Sequence, residues 1–278
     1  MGRMTGNPSR VLVLGGTGKT GRRVATALHR RGVDPAVASR RGPVPFDWTD
    51  RSTWKPALDG VDAVYVVDSQ GPGAPEEVRE LADLAAAGSL RLVLLSSRTF
   101  GEMGEDRLAT ERAVKESGVQ WTILRPPWFA QNFTEFDLFA SLLGDEGELR
   151  LPTGDGREAF IDLEDLADVV AAALTEDGHT GRTYVLSGAR SLSFEEAVGE
   201  IARATGRPLR FVPVSEGAYR AELVALGYPD ATTDETIAVL SHIRLERGSE
   251  PTDGVLEALG RPPRDFSDYV ARTDFGTD

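Results

Sequence analysis

The chain of 278 residues contains no cysteine. That absence excludes disulfides, thiolate nucleophiles and cysteine-ligated metal sites. Histidine is scarce: His29, His179 and His242 are scattered, with no pair at ligand spacing, so no metal site is expected and each is read as a surface side chain. No apolar run approaches the roughly 20 residues of a membrane-spanning helix, and there is no internal repeat or low-complexity linker. Positive charge is in deficit, with 31 Lys and Arg against 44 Asp and Glu and a formal net charge of -13. A field of that sign repels phosphate backbones and anionic lipid, so neither nucleic acid nor membrane is an expected partner. The polar stretch from Met1 to Arg10 has no signal-peptide core, and a cytoplasmic location is the expectation. What remains is 40% hydrophobic and 27% charged, the composition of an ordinary globular chain.

Strand and helix patterns alternate through the first half. Apolar runs predict strands over 10–14, 35–39, 61–67, 91–96 and 120–124. Helices are predicted over 19–31 (ended by Gly32), from Asp50 as cap to about 58, from Pro75 to 87, and over 105–117. Buried Val- and Leu-rich strands separated by helices mean a doubly wound parallel sheet covered on both faces. Beyond Pro126 the alternation loosens. Helices are predicted over 133–143 and 163–174, the latter with Asp162 as cap, and strands over 183–186 and 209–214. Ser193 with Glu196, and Thr232 with Glu235, read as capping boxes at two further helix starts.

The sharpest motif is Val11-Leu-Val-Leu-Gly15-Gly-Thr-Gly-Lys-Thr-Gly21, a buried strand running through glycines into a helix. Gly15 suits the tight turn, Gly18 the close approach of a pyrophosphate, and Gly21 the packing of the helix on the sheet. The helix start offers unpaired N–H groups to an anion. A nucleoside-triphosphate loop is excluded, because the glycine it needs five residues before Gly18 is Val13. About 20 residues on, where an NAD site places a carboxylate, stand Ser39, Arg40 and Arg41. A hydroxyl and two guanidinium groups suit a 2′-phosphate, so NADPH is the cofactor predicted.

Three segments in order, Gly15–Gly21, Thr122-Ile-Leu-Arg-Pro-Pro-Trp-Phe-Ala-Gln-Asn132 and Ile161-Asp-Leu-Glu-Asp-Leu-Ala-Asp168, resemble the NmrA-like branch of the atypical short-chain dehydrogenase/reductases. Within it the chain is similar to bacterial relatives of the ergot-alkaloid agroclavine dehydrogenases. The resemblance implies an α/β fold: a Rossmann-like NADP(H)-binding domain over 1–150, continued by parts of 155–190. A smaller C-terminal α/β substrate-binding portion follows over 151–278. It implies that Gly15, Thr17, Gly18, Lys19 and Thr20 hold the pyrophosphate and Ser39, Arg40 and Arg41 the 2′-phosphate. Asp47 and Trp48 would meet the adenine. Val67, Asp68, Ser96, Ser97 and Pro126 would stand near the ribose and nicotinamide.

The usual Tyr–Lys pair of such dehydrogenases corresponds here to Leu108 and Arg112. Leucine transfers no proton. Two readings follow: a reductase for an iminium, quinone or activated alkene or carbonyl compound, or, alternatively, a non-catalytic NADP(H)-binding redox sensor. On the substrate side, Trp128, Phe129 and Phe133 form a candidate apolar wall, with Phe133 equally readable as core filling. Asn132 and Ser97 are the candidate polar groups acting on substrate. Asp68 is readable as a cation partner or as a strand-end cap. Arg125 is expected to tie the last strand to the C-terminal part, with Arg98 a further candidate. The acidic run Asp162, Glu164, Asp165 and Asp168 reads as helix capping and dipole pairing rather than catalysis. The expected partner is a small-molecule substrate, and the expected state a monomer or homodimer.

Overall fold

A computed structural model describes residues 8–144, 146–245 and 249–276, so residues 1–7 of the polar N-terminal stretch lie outside it. The strands are β1 (Arg10–Val13), β2 (Asp34–Ser39), β3 (Val44–Pro45), β4 (Ala63–Val66), β5 (Arg91–Leu95), β6 (Gln120–Arg125), β7 (Glu148–Leu151), β8 (Arg157–Glu158), β9 (Arg182–Val185), β10 (Leu192–Ser193) and β11 (Arg210–Pro213).

Two compact units interleave along the chain. Among the described residues the first comprises 8–126, 163–186 and 253–262, and the second the remainder. The first boundary falls at 126 rather than near 150, the return over 163–186 lies within the expected continuation of 155–190, and the return over 253–262 is additional. The chain leaves the first unit after Pro126 and returns to it twice.

The first unit carries a seven-stranded sheet in the order β3-β2-β1-β4-β5-β6-β9, every pair parallel. Parallel pairing requires crossovers, and their helices bury both faces. On one face Leu12, Leu14, Val64, Val66, Leu92 and Leu94 join a core with Val78, Leu81 and Ala85 of the helix Ala74–Ala87. On the other, the helices Gly21–Arg30, Leu163–Thr175 and Gly254–Leu259 pack together. The strand order reverses between β1 and β4. The carboxyl ends at such a reversal are where an open α/β sheet binds ligands.

Expected and observed elements differ where glycine or core geometry intervenes. The helix predicted over 105–117 is a 3-10 turn, Glu105–Leu108, followed by the helix Ala109–Glu116. A short helix, Arg98–Met103, precedes it and ends at Gly104 with φ 131. That left-handed backbone stops any continuation.

The second unit holds a parallel pair, β7 with β11, and an antiparallel pair, β8 with β10. The predicted helix over 133–143 is three pieces: Asn132–Glu135, the 3-10 turn Asp137–Phe139, and Ala140–Leu143. An unbroken helix would separate Phe133 from Phe139 by about 120° and from Leu142 by about 180° around its axis. Phe136 is extended instead (φ -125, ψ 120), and all three side chains are buried in one core. The Ser193–Glu196 capping box opens the helix Phe194–Thr205 as predicted. The Thr232–Glu235 box does not form. The helix Asp230–Arg244 starts earlier, after Pro229, and Thr232 lies inside its first turn. Proline cannot continue a helix from the middle but is well tolerated at its start, and that sets the boundary.

Phe133 is 1% exposed, with ring centroids of Phe139, Phe160 and Phe266 5.5, 5.3 and 5.5 Å away. It is a core side chain and not part of a substrate wall, which corrects the expectation for it. Phe133→Ala should cost about 3–5 kcal/mol, read as a shift in the midpoint of chemical denaturation. A change under about 1 kcal/mol would contradict the core assignment.

Candidate functional site

The glycine loop connects β1 to the helix Gly21–Arg30 at the reversal point of the sheet. Its entry is fixed by two neighbours: the Leu14 amide donates to the Tyr65 carbonyl at 3.0 Å and the Gly16 amide to the Ala38 carbonyl at 3.1 Å. Gly15 turns at φ 60. Within the turn the Gly18 amide donates to the Gly15 carbonyl at 2.9 Å. A Cβ on Gly21 would sit 2.3 Å from the Gly15 oxygen and 2.6 Å from the Gly16 Cα. Gly21 therefore permits the helix to pack on its own loop, where sheet packing was anticipated. Gly16, unmarked by sequence reasoning, is equally constrained, since its Cβ would stand 2.7 Å from Val37 Cγ1.

Gly18, where pyrophosphate access was predicted, is exposed. Among the described residues the amides of Thr17, Thr20 and Gly21 have no hydrogen-bond acceptor. Three unpaired donors at the positive end of a helix form a ready anion cradle. Lys19 is half-buried, with its carbonyl accepting from Arg23 at 2.8 Å.

At the end of β2, the Ser39 carbonyl accepts from Gly42 at 3.3 Å and Phe46 at 3.2 Å, closing a turn that projects Arg40 and Arg41 outward. Both are exposed, and neither is ion-paired to a carboxylate among the described residues. Asp47 accepts from the Thr49 amide and hydroxyl at 2.9 and 2.8 Å. Those bonds, with the nearby Arg40 charge, hold its carboxyl below the ordinary range. Trp48 donates its indole N–H to the Val67 carbonyl at 3.2 Å and stands edge-on to Phe46 and Trp54. Half-buried Asp68 accepts from the Gln70 amide at 3.1 Å, as a strand-end cap would, and burial pushes its pKa up.

Beyond β5 and β6 lies a charged network not legible in the sequence. Glu111, 1% exposed, accepts from Arg125 Nε and Nη2 at 2.7 Å each, from Ser96 Oγ at 2.7 Å and from Lys115 at 3.2 Å. Burial opposes its ionisation, but the bonds from Arg125 and Ser96 outweigh it and hold the carboxyl below the usual range. Arg125 thus ties β6 to the helix Ala109–Glu116, not to the C-terminal part as expected. Ser97 caps the helix Arg98–Met103, accepting from the Phe100 amide at 3.4 Å. The Pro126 carbonyl accepts from the Arg98 amide at 2.9 Å. Arg98 itself is buried and bonded to Glu102.

The aromatic candidates Trp128 and Phe129, and Asn132, belong to the second unit. Trp128 is half-buried and stacked on Phe139 at 5.8 Å; Phe129 is half-buried; Asn132 is buried in its short helix. The acidic run is consumed by arginines rather than by capping alone. Asp162 accepts from Gln131 and Arg272, Glu164 faces Arg23 and Arg30, Asp165 pairs with Arg261, and Asp168 with Arg30 and Arg261. His179 and His242 are buried, not surface groups, and His179 Nδ1 lies 2.9 Å from the Tyr184 hydroxyl. Among the described residues no cluster could hold a metal ion, and no helix is long and apolar enough to cross a membrane.

A family model described as NAD(P)H-binding matches residues 15–177. Over 94% of its length and 96% of the relative's, the chain is 35% identical to a (4-alkanoyl-5-oxo-2,5-dihydrofuran-3-yl)methyl phosphate reductase of Streptomyces griseus. It is 30% identical, over the same shares, to an agroclavine dehydrogenase of Claviceps fusiformis. Among solved structures, an NADPH-dependent quinone oxidoreductase of Escherichia coli, complexed with NADPH, shares the fold at a TM-score of 0.75. That likeness covers 94% of this chain and 98% of the other at 20% identity.

Glu111→Gln should destabilise the protein by about 3–5 kcal/mol at neutral pH, because Arg125 loses the charge that compensates it. A carboxyl held below its unfolded pKa contributes stability that is full above about pH 4.3. That contribution disappears as pH falls through the folded value. The gap between wild type and variant, measured by denaturation at several pH values, should therefore narrow on acidification. A gap independent of pH would contradict the network's role.

Proposed function

We propose that this chain, which belongs to the NAD(P)H-binding, NmrA-like atypical short-chain dehydrogenase/reductases and is an NAD(P)H-dependent oxidoreductase, uses NADPH to reduce a small organic electrophile without a Tyr–Lys pair. The observation that carries the reading is the loop over 15–21, with the unpaired amides of Thr17, Thr20 and Gly21 above a glycine that leaves room for an anion. Gly15, Thr17, Gly18, Lys19 and Thr20 cradle the diphosphate at the positive end of the helix. Ser39, Arg40 and Arg41 take the 2′-phosphate. Exposed guanidinium groups that form no ion pair within salt-bridge distance among the described residues can fork onto phosphate oxygens.

Asp47 and Trp48 border the adenine. The Asp47 carboxylate and the Trp48 N–H are already engaged, so the ring face of Trp48 is what it offers. Val67, Asp68, Ser96 and Pro126 border the ribose and nicotinamide end. The Ser96 hydroxyl is spent on Glu111, which leaves its backbone for the ligand.

The cofactor supplies a hydride when bound. The chain's own residues do the positioning. Leu108 is buried in its 3-10 turn and Arg112 donates to the Glu105 carbonyl, so neither moves a proton. That favours substrates already polarised for attack, such as an iminium ion, a quinone or an electron-poor alkene, where proximity and orientation supply most of the rate. The Streptomyces griseus relative is named for an alkanoyl-substituted oxo-2,5-dihydrofuran, an alkene of this kind. In the first unit, Ser97, whose hydroxyl accepts from Phe100 and keeps its own proton, is the polar group proposed for the substrate; in the second, Trp128, Phe129 and Asn132 are the proposed substrate residues.

NADPH oxidation followed by absorbance across iminium, quinone and enone compounds tests the reaction class. Turnover with one class supports the reading. Tight NADPH binding without turnover of any would favour the non-catalytic sensor. Hydrogen bonds to charged groups are worth about 1.5–3 kcal/mol. Replacing Arg40 and Arg41 with alanine should therefore weaken NADPH about 10- to 100-fold, with NADH little affected in the same titration. Equal losses for both would contradict the 2′-phosphate assignment.

A further inference from the structure

Tyr65 lies in the middle of the first unit's sheet, on β4, and is 0% exposed. Its main chain already serves the glycine loop, because its carbonyl fixes Leu14, the last residue before the turn. Its side chain reaches the other end of the same loop. Its hydroxyl stands close to the side chain of Thr20, the residue that precedes the helix Gly21–Arg30. Yet the Tyr65 oxygen makes no hydrogen bond among the described residues. Thr20 in turn makes no side-chain cap on its helix.

A buried hydroxyl without a partner is costly, and native folds pair nearly all of them. Phenylalanine would fill the same space without that cost. The Tyr65 hydroxyl therefore calls for a partner beyond the described protein groups.

We propose that Tyr65 is a positioning residue for the phosphate loop, donating its hydroxyl proton to Thr20 Oγ1 when the dinucleotide binds, so that the Thr20 hydroxyl donates its own proton to a diphosphate oxygen. The two bonds form a chain, phenol to threonine to phosphate, in which each donor polarises the next. The last bond ends on a charged acceptor and is the strong one. Tyr65 thereby holds both ends of the turn, Leu14 through its carbonyl and Thr20 through its phenol. The inference rests on the NADPH reading above.

The test is Tyr65→Phe, with two measurements on the full chain. Thermal unfolding without ligand should give a Tm equal to or above that of wild type. NADPH titration should give a dissociation constant raised about fivefold to tenfold. In a Thr20→Val background, where the middle of the chain is missing, Tyr65→Phe should have no further effect on NADPH affinity. A lower ligand-free Tm would mean the phenol is already bonded in the fold and would overturn the proposal. So would wild-type affinity in Tyr65→Phe, or a full additional loss in the Thr20→Val background. Failure of wild type to bind NADPH removes the cofactor reading as well and is told apart by that control.

Discussion

Two main-chain hydrogen bonds govern the site: Leu14 to Tyr65 on one neighbouring strand and Gly16 to Ala38 on the other. They pin the start of the glycine loop where β1 is flanked by β2 and β4, at the point where strand order reverses. With the start pinned, Gly15 must turn at positive φ, and Gly21 must lack a side chain for the helix to begin over the loop. The amides left without acceptors are a consequence of that geometry. A loop whose start is held so firmly is largely preorganised, and preorganisation of this kind reduces the entropy lost on binding.

The sheet and its phosphate loop were legible because both are written locally. Strands buried on both faces read as continuous apolar runs, and the glycine spacing sits directly between strand and helix. What depended on distant partners was not legible. The helix predicted over 133–143 breaks because Phe133, Phe139 and Leu142 must reach one core, which periodicity within the segment does not reveal. Glu111 and Arg125 are 14 residues apart, and nothing at either position announces the pair. The run from Asp162 to Asp168 reads as capping in the sequence, whereas in the structure Arg30, Arg261 and Arg272 engage it from far along the chain. His179 and His242, read as surface residues, are buried for the same reason, whereas His29 is exposed as expected. A lone polar residue in the sequence does not show its eventual partner.

A buried, charged hydrogen-bond network lies at the ends of β5 and β6. Glu111 collects Ser96, Arg125 and Lys115 around a buried carboxylate. It stands one position before Arg112, on the helix where the usual dehydrogenase dyad was sought. The burial of a charge there is supported by three donors, and removing any one leaves the others to compensate a buried ion. These bonds tie the ends of β5 and β6 to the helix Ala109–Glu116.

The account turns on the grip of the 15–21 loop and of Arg40 and Arg41 on a phosphorylated dinucleotide. The most direct test is calorimetric titration of the purified protein with NADPH and, separately, with NADH. The account predicts saturable binding of NADPH at one site per chain, tighter than NADH, with the difference shrinking as salt screens the arginine charges. No heat with either coenzyme would contradict it.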